Sequence, residues 1–413
     1  MKLNDITENP PLDTGHSWVK YLKPGNSQEN MQITTKLRER KDHFMITIYK
    51  EERQNLTIFV GDIVLLKLRK YELVRPVKKD FHISLPKNIL KDKNNGDKIE
   101  LYILKIVKKE NCLKRPESMI KNDKLDIRHF IPIKTIFDYP ICIIERDSDY
   151  SSIWYPVGGG VRHINIKNYV NIDKIAELMG FYFGDGSTSQ NIASFRLTNS
   201  EPSVLNYCLN ILEEIGINRK SFKGQIIYST NKELTEDIKS RCINFWSKSL
   251  RISKENVVSV TKAKNIRETL EHGSARIFID NTVLVEIFLQ GLLKGILQKI
   301  INPHTLIDKK LLEGFIRGLL AAEGSVNLNK NGSVVKIGIS YDPHSNELEL
   351  YKNLLKNLKI NYGGTKGNEL YIYGFNNIKK FYEINAFKMH KSRNQKFISG
   401  ILNHKYFKAN LLA

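Results

Sequence analysis

Cysteine is scarce in this chain and badly spaced for chemistry. There are 4 in 413 residues, Cys112, Cys142, Cys208 and Cys242. No two form a C-x-x-C pair, so the pattern of a zinc site or a disulfide framework is absent and buried thiols are expected. Long apolar runs are also missing, since no stretch reaches the roughly 20 residues that a bilayer-spanning helix needs. The opening MKLNDITENPPLDTGHSW has neither the basic start nor the apolar centre of a secretory signal. A cytoplasmic protein without a membrane partner is expected. The histidines, His163 and His304 among them, stand singly and do not mark a ligand cluster. Acids are the third shortfall, with 44 Asp+Glu against 65 Lys+Arg, a formal net charge of +21. Such a field draws polyanions and puts nucleic acid first among partner classes.

What is present divides into domains. A chain of 413 residues, 41% of them hydrophobic, exceeds the roughly 250 to 300 residues that one core supports, so two or three domains are expected. After an N-terminal tail, residues 1–34, the region 35–110 repeats a theme. FMITIYKEERQNLTIFVGDIVLLKL (44–68) and FHISLPKNILKDKNNGDKIELYIL (81–104) each give an alternating strand, a polar helical turn, a Gly-Asp pair and a second strand. The Gly-Asp pairs are Gly61-Asp62 and Gly96-Asp97. The pattern resembles the swapped-hairpin barrel of AbrB-type transition-state regulators, which implies two interlocked halves in one small β-rich barrel and a DNA-binding role. A dense basic zone runs from Lys67 to Arg115. Residues 111–168, with three glycines in WYPVGGGVRHI (154–164), read as a linker.

The strongest signal comes next. After Asn171, a candidate N-cap, runs IDKIAELMGFYFGDGS, with Ala176, Gly180 and Gly184 four residues apart and therefore in one stripe of a helix. After Asp308, KKLLEGFIRGLLAAEGS repeats the stripe as Gly314, Gly318 and Ala322. Adding 138 maps each element of the first onto the second, including Asp185 onto Glu323 and Gly186 onto Gly324. Glycine inside a helix costs about 0.5 to 1 kcal/mol against alanine, and close packing of two such stripes is the compensating reason. Gly186 and Gly324 are expected as left-handed caps. An acid at a helix C-terminus opposes the helix dipole. Two acids brought together there invite a divalent cation of the Mg2+ type. The segments that follow match as strand, helix, strand and helix, with QIIYSTNKELTEDIK set against ELYIYGFNNIKKFYEI, so each half reads α-β-β-α-β-β-α.

LMGFYFGDG (178–186) and IRGLLAAEG (316–324) resemble the two signature helices of the LAGLIDADG homing endonucleases, in the single-chain, two-motif form. The resemblance implies an α+β fold with tandem repeats at 169–246 and 307–413 forming a pseudo-two-fold β-saddle in a DNA major groove. It implies a site-specific endonuclease, acting as a monomer with Mg2+ or Mn2+ on double-stranded DNA. Asp185 and Glu323 match the catalytic metal ligands, Gly184 and Ala322 are expected in the metal site with them, and Lys391 is a candidate catalytic lysine, with Lys396 as a further candidate. Ala176, Gly180, Gly184, Gly314, Gly318 and Ala322 match the packing face. Arg196 and Lys336, expected at equivalent places in the saddle strands, are candidate DNA contacts together with Lys223 and Lys366. Residues 247–306 stand out as an insertion carrying a connecting helix, LVEIFLQGLLKGILQKI (284–300), and no clean basic residue completes the first half. Met1 and the closing KANLLA lack the ends of a splicing element, so a free-standing protein or an isolated reading frame is expected. Two rival readings keep the saddles without the cleavage: a DNA-binding regulator, and an RNA maturase assisting intron splicing.

Overall fold

The computed structural model describes residues 31–41, 43–108, 120–121, 124–132, 141–145, 149–157, 160–188, 194–230, 233–263, 271–280, 286–303 and 306–404. The chain divides into two compact units, one made of residues 1–118 and 131–168, the other of 119–130 and 169–413. No helix among the described residues is long and apolar enough to cross a membrane. Cys208 and Cys242 are buried free thiols.

In the first unit, β1 (Met31–Lys36), β2 (Arg38–Glu39), β3 (His43–Thr47), the short helix α1 (Lys50–Leu56) and β4 (Ile63–Leu68) form one half. The other half is β5 (Tyr71–Pro76), β6 (His82–Pro86), a 3-10 turn over Lys87–Leu90, and β7 (Lys98–Val107). Equivalent strands pair antiparallel, β3 with β6 and β4 with β7, as an internal two-fold axis requires. The exchange is reciprocal: β1 lies on β7 and β5 on β4. Asp62 Oδ2 accepts from the Phe59 N–H and Asp97 Oδ2 from the Asn94 N–H, both at 3.0 Å. Gly61 and Gly96 take φ of 95° and 92°, the left-handed region that glycine enters freely. The Gly-Asp pairs are thus identical turn devices. The repeat is longer than its visible motif, because each half also owns a leading strand, β1 or β5. The strands form a four-stranded sheet, β1-β7-β4-β5, and a three-stranded sheet, β2-β3-β6, around a core that includes Ile46, Val64, Ile83 and Leu101. They do not close into a barrel, which corrects the expected architecture. Part of the basic zone has structural work: buried Arg75 donates to the Ser84 carbonyl, Lys108 pairs with Asp62 and Arg69 with Asp92.

Two short strands, β8 (Ile120–Lys121) and β9 (Lys124–Asp126), belong to the second unit. The chain then returns to the first with β10 (Cys142–Glu145), β11 (Tyr150–Val157) and β12 (Gly160–Lys167), a three-stranded antiparallel sheet. The expected linker at 154–164 is therefore mostly hairpin, with Trp154 opposite His163 and Val157 opposite Gly160. Paired glycines are as much a hairpin signal as a linker signal. Gly158 and Gly159 lie outside the described residues.

The second unit resumes with β13 (Tyr169–Asn171), which pairs with β9. Its first repeat is α2 (Ile172–Asp185), β14 (Gly186–Thr188), β15 (Phe195–Asn199), α3 (Pro202–Glu214), β16 (Lys223–Tyr228), α4 (Glu236–Leu250), β17 (Val257–Lys262) and β18 (Ser274–Ile279). A π-helix over Glu286–Leu293 continues into α5 (Lys294–Ile301), which places the expected connecting helix. The second repeat is α6 (Leu306–Glu323), β19 (Gly324–Leu328), β20 (Val334–Ser340), α7 (Glu347–Asn357), β21 (Gly364–Lys366), β22 (Glu369–Tyr373) and α8 (Phe375–Glu383), followed by α9 (Lys391–Leu402). The sheets run β14-β15-β18-β16-β17 and β19-β20-β22-β21.

That order corrects the expected boundary at 246. β18 holds the place of β22, next to the second strand of its sheet, and β16 holds the place of β21. The inserted segment is therefore 229–273, set inside the last hairpin of the first repeat rather than after it. The reading by motif order paired β16 with β22 because it met β16 first.

Candidate functional site

The two small-residue stripes lie face to face. A Cβ added to Gly180 would stand 2.0 Å from the Phe315 carbonyl oxygen, and one on Gly318 would stand 2.0 Å from that of Glu177. Since 177 plus 138 is 315, these are the same contact seen from the two sides of a two-fold axis. A Cβ on Gly184 would stand 2.6 Å from the Ala322 Cβ, and one on Gly314 would stand 2.7 Å from the Ala176 Cβ, each pair being its own symmetry mate. No side chain fits between the backbones, so the helices cross at glycine and alanine distance. A buried ion network ties them together. Glu177, fully buried on α2, accepts from Arg317 Nε at 2.5 Å and Tyr207 Oη at 2.5 Å, and pairs with Lys388 Nζ at 2.7 Å. Arg317 also reaches Asp173 at 2.7 Å.

The axis that pairs Gly184 with Ala322 sets Asp185 beside Glu323 at the C-terminal ends of α2 and α6. Asn171 caps the start of α2, its side chain accepting from the Lys174 N–H at 3.1 Å. At the other end the helix passes straight into a strand. Gly186 has φ −89° and ψ 159°, extended rather than left-handed, and Gly324 is likewise outside the positive-φ set. The expected left-handed caps are thus absent, and crowding explains the glycines instead. A Cβ there would lie 2.2 Å from the Tyr182 carbonyl oxygen or 2.4 Å from that of Leu320. The turn is tight enough to aim each acid at the junction of helix and saddle.

Both acids hold their protons above the ordinary carboxylate range. Burial pushes Asp185 up to about 6, against the hydrogen bond from Asn199 Nδ2 at 2.6 Å and the charge of Arg393, which lower it. Burial pushes Glu323 up to about 7, helped by the charges of Asp185 and Glu347 and opposed by Arg393. Arg393 on α9 is the cation that faces both. Its Nη1 donates to the carbonyls of Leu320, Ala321 and Ala322 at 2.8, 2.8 and 3.1 Å, closing the open end of α6. The carbonyl of Ala322, a residue expected in the metal site, is thus engaged by Arg393. Lys391 is exposed, and its backbone N–H meets Ser203 Oγ at 3.4 Å. Lys396 is exposed further along the same helix. The motif holding Lys391 also holds Arg393, so the segment that offers the candidate lysine supplies this cation as well.

Two oxygen donors with elevated proton affinity fit a hard divalent cation, which uses one or two carboxylates and leaves its other positions to water and phosphate. Among the described residues no group of three or more His, Cys, Asp and Glu gathers as a metal cluster. Asp185 and Glu323 would hold the ion.

Away from the helices each sheet has an open face. On the first, Arg196 lies in register with Ser187 and Phe278, and Arg276 reaches Thr198 Oγ1 and Gln225 Oε1, both at 3.4 Å. Lys223 is on this face, 3.6 Å from Asp280. On the second, Lys336 lies in register with Asn327 and places its ammonium 3.8 Å over the Tyr371 ring. Lys366 is exposed on β21. Arg196 and Lys336 are not equivalent: Ser187 corresponds to Ser325, which faces Gly338, so Lys336 stands two residues earlier on its strand. A Cβ on Gly338 would stand 1.8 Å from Glu369 Oε1, which accepts from Ser325 Oγ at 2.5 Å, so an acid fills the place that Arg196 holds in the first half. Arg276 was missed because its strand lay inside the supposed insertion, although SARIFI alternates as a half-buried strand does.

A family model for the LAGLIDADG-like domain matches residues 310–384, from within α6 through α8. Two solved structures of low identity are similar to this chain. The crystal structure of the N-terminal LAGLIDADG domain of DUF199/WhiA is 16% identical, with a TM-score of 0.29, over 52% of this chain and 82% of that one. That of full-length DUF199/WhiA from Thermatoga maritima is 15% identical, with a TM-score of 0.31, over 58% of this chain and 65% of that one. No curated protein matches the sequence.

Proposed function

We propose that this LAGLIDADG-family protein binds duplex DNA along its two saddles and hydrolyses a phosphodiester bond in each strand at the paired helix ends, with Mg2+ or Mn2+. The observation that carries the reading is the pair Asp185 and Glu323, part-buried side by side with both proton affinities raised. Burial and like charge both work against such a pair. A cation shared by the two acids relieves both penalties. When bound, the metal polarises the phosphate and activates water.

The chain's own groups do the positioning. Asn199 fixes the Asp185 carboxylate through its 2.6 Å bond. Arg393 holds the end of α6, and so Glu323, against the N-terminus of α9. Arg196, Lys223, Arg276, Lys336 and Lys366 line the saddles with groups that contact phosphates and base edges and orient the duplex. Both acids come from one chain, so a monomer suffices. The first unit, with its basic residues, adds DNA affinity outside the saddles.

A second reading, DNA binding without cleavage, draws on Arg393, which already brings a positive charge to the acid pair. The test is selection of a bound duplex from a random pool, then incubation with Mg2+ or Mn2+. The wild type is expected to cut the selected duplex, while an Asp185→Asn/Glu323→Gln double variant binds it and leaves it intact. Binding by both proteins with cutting by neither would establish the second reading. Preference for structured intron RNA over duplex DNA would favour a splicing role instead.

A further inference from the structure

Among the described residues the first saddle is one strand wider than the second, and we propose that its extra strand, β17, contacts additional duplex, making the target longer on the side of the first repeat. The inference rests on the reading that the saddles bind DNA and needs no cleavage. The first sheet ends in β16-β17 where the second ends at β21. β17 runs parallel to β16, and such a pairing needs a long crossover, which the insertion supplies through α4. Ser259 lies beside Gln225 and Thr261 beside Ile227, so both continue the open face on which Arg276 meets Gln225. Thr261 and the following Lys262 are exposed at the rim.

The strand is anchored into its repeat. Val257 is buried against Gly224, and Trp246 of α4 is buried with its Nε1 donating to the His272 carbonyl at 2.7 Å, which pins the return to β18. Buried Arg219 donates to the Leu250 carbonyl at 2.8 Å and to Glu213 at 2.9 Å, joining the end of α4 to α3. Asn256 holds the Lys220 carbonyl at 2.9 Å just before β17 begins. A strand fixed this firmly in the plane of a binding face extends that face.

The width gained is about 4.8 Å, which along a duplex rising about 3.4 Å per base pair corresponds to about one or two base pairs. The partner is duplex DNA because the face that β17 extends carries Arg196, Arg276 and Lys223 in a chain of net charge +21.

The experiment uses the full chain and a duplex selected from a random pool, footprinted with hydroxyl radicals. The wild type should protect two arms of unequal length. A Thr261→Glu/Lys262→Glu variant should lose protection only at the outer one or two positions of the longer arm, with affinity reduced about tenfold. Lys366→Glu, on the edge of the other saddle, should disturb only the shorter arm. Arms of equal length, or a β17 variant that weakens both arms alike or neither, would overturn the proposal while leaving DNA binding in place. If no duplex is retained, the DNA-binding reading falls and this one with it. Should the double variant melt early, Thr261→Ala provides the milder form of the same comparison.

Discussion

Replacing Glu323 by glutamine should make the metal-free protein more stable at neutral pH, although it removes a proposed metal ligand. In the fold Glu323 titrates near 7 instead of its usual 4.5, because of burial first and then the charges of Asp185 and Glu347. The folded protein therefore holds this proton more tightly than the unfolded chain does. Its contribution to stability is fullest below about 4.5 and is lost as the pH rises through about 7. Fully buried, the difference would correspond to roughly 3 kcal/mol. Glu323 is partly exposed, and solvent screening brings the expected gain at pH 8 to about 1 kcal/mol, a rise in Tm of about 2 to 4 °C for a unit of this size. Thermal melts of wild type and Glu323→Gln in chelator-containing buffer, from pH 4.5 to 8, read the effect. The two curves should meet at the acid end and separate towards pH 8, with the variant higher. A variant that melts below the wild type at pH 8, or differs from it equally at every pH, would refute the reasoning. Excess Mg2+ should then close the gap by stabilising only the wild type.

Two further outcomes concern the helix pair. Gly318→Ala would press a methyl group to 2.0 Å from the Glu177 carbonyl oxygen. The backbones must part, at a cost of about 1 to 3 kcal/mol, visible as an earlier thermal transition at every pH. Arg317→Ala leaves buried Glu177 without its closest cationic partner and should destabilise by about 3 to 5 kcal/mol in urea unfolding, while Arg317→Met paired with Glu177→Gln recovers much of that loss. Equal stability of Arg317→Ala and that double variant would show that the network does not hold the helices together.

What could be read without coordinates was whatever repeats locally. The spacing of four from Ala176 to Gly184, its copy from Gly314 to Ala322, and the acid at each end are set by helical periodicity and chain order, and these located Asp185 and Glu323. The two Gly-Asp turns were legible for the same reason: positive φ at Gly61 and Gly96 is a demand made within a few residues. Other features depended on pairing across the fold. β18 takes the place of β22 only because a strand's partner is chosen by hydrogen bonding between distant segments, so the insertion could not be bounded from chain order. The leading strands β1 and β5 escaped the repeat because their partners lie in the opposite half. Gly186 gave the right residue for the wrong reason, since crowding at the Tyr182 carbonyl rather than backbone handedness excludes a side chain there. Arg393 could be told from Lys391 and Lys396 only by position in space, where its guanidinium reaches three helix-end carbonyls and its charge acts on both acids. Periodicity determined which residues lie on the axis of this protein, and long-range packing decided which charges surround them.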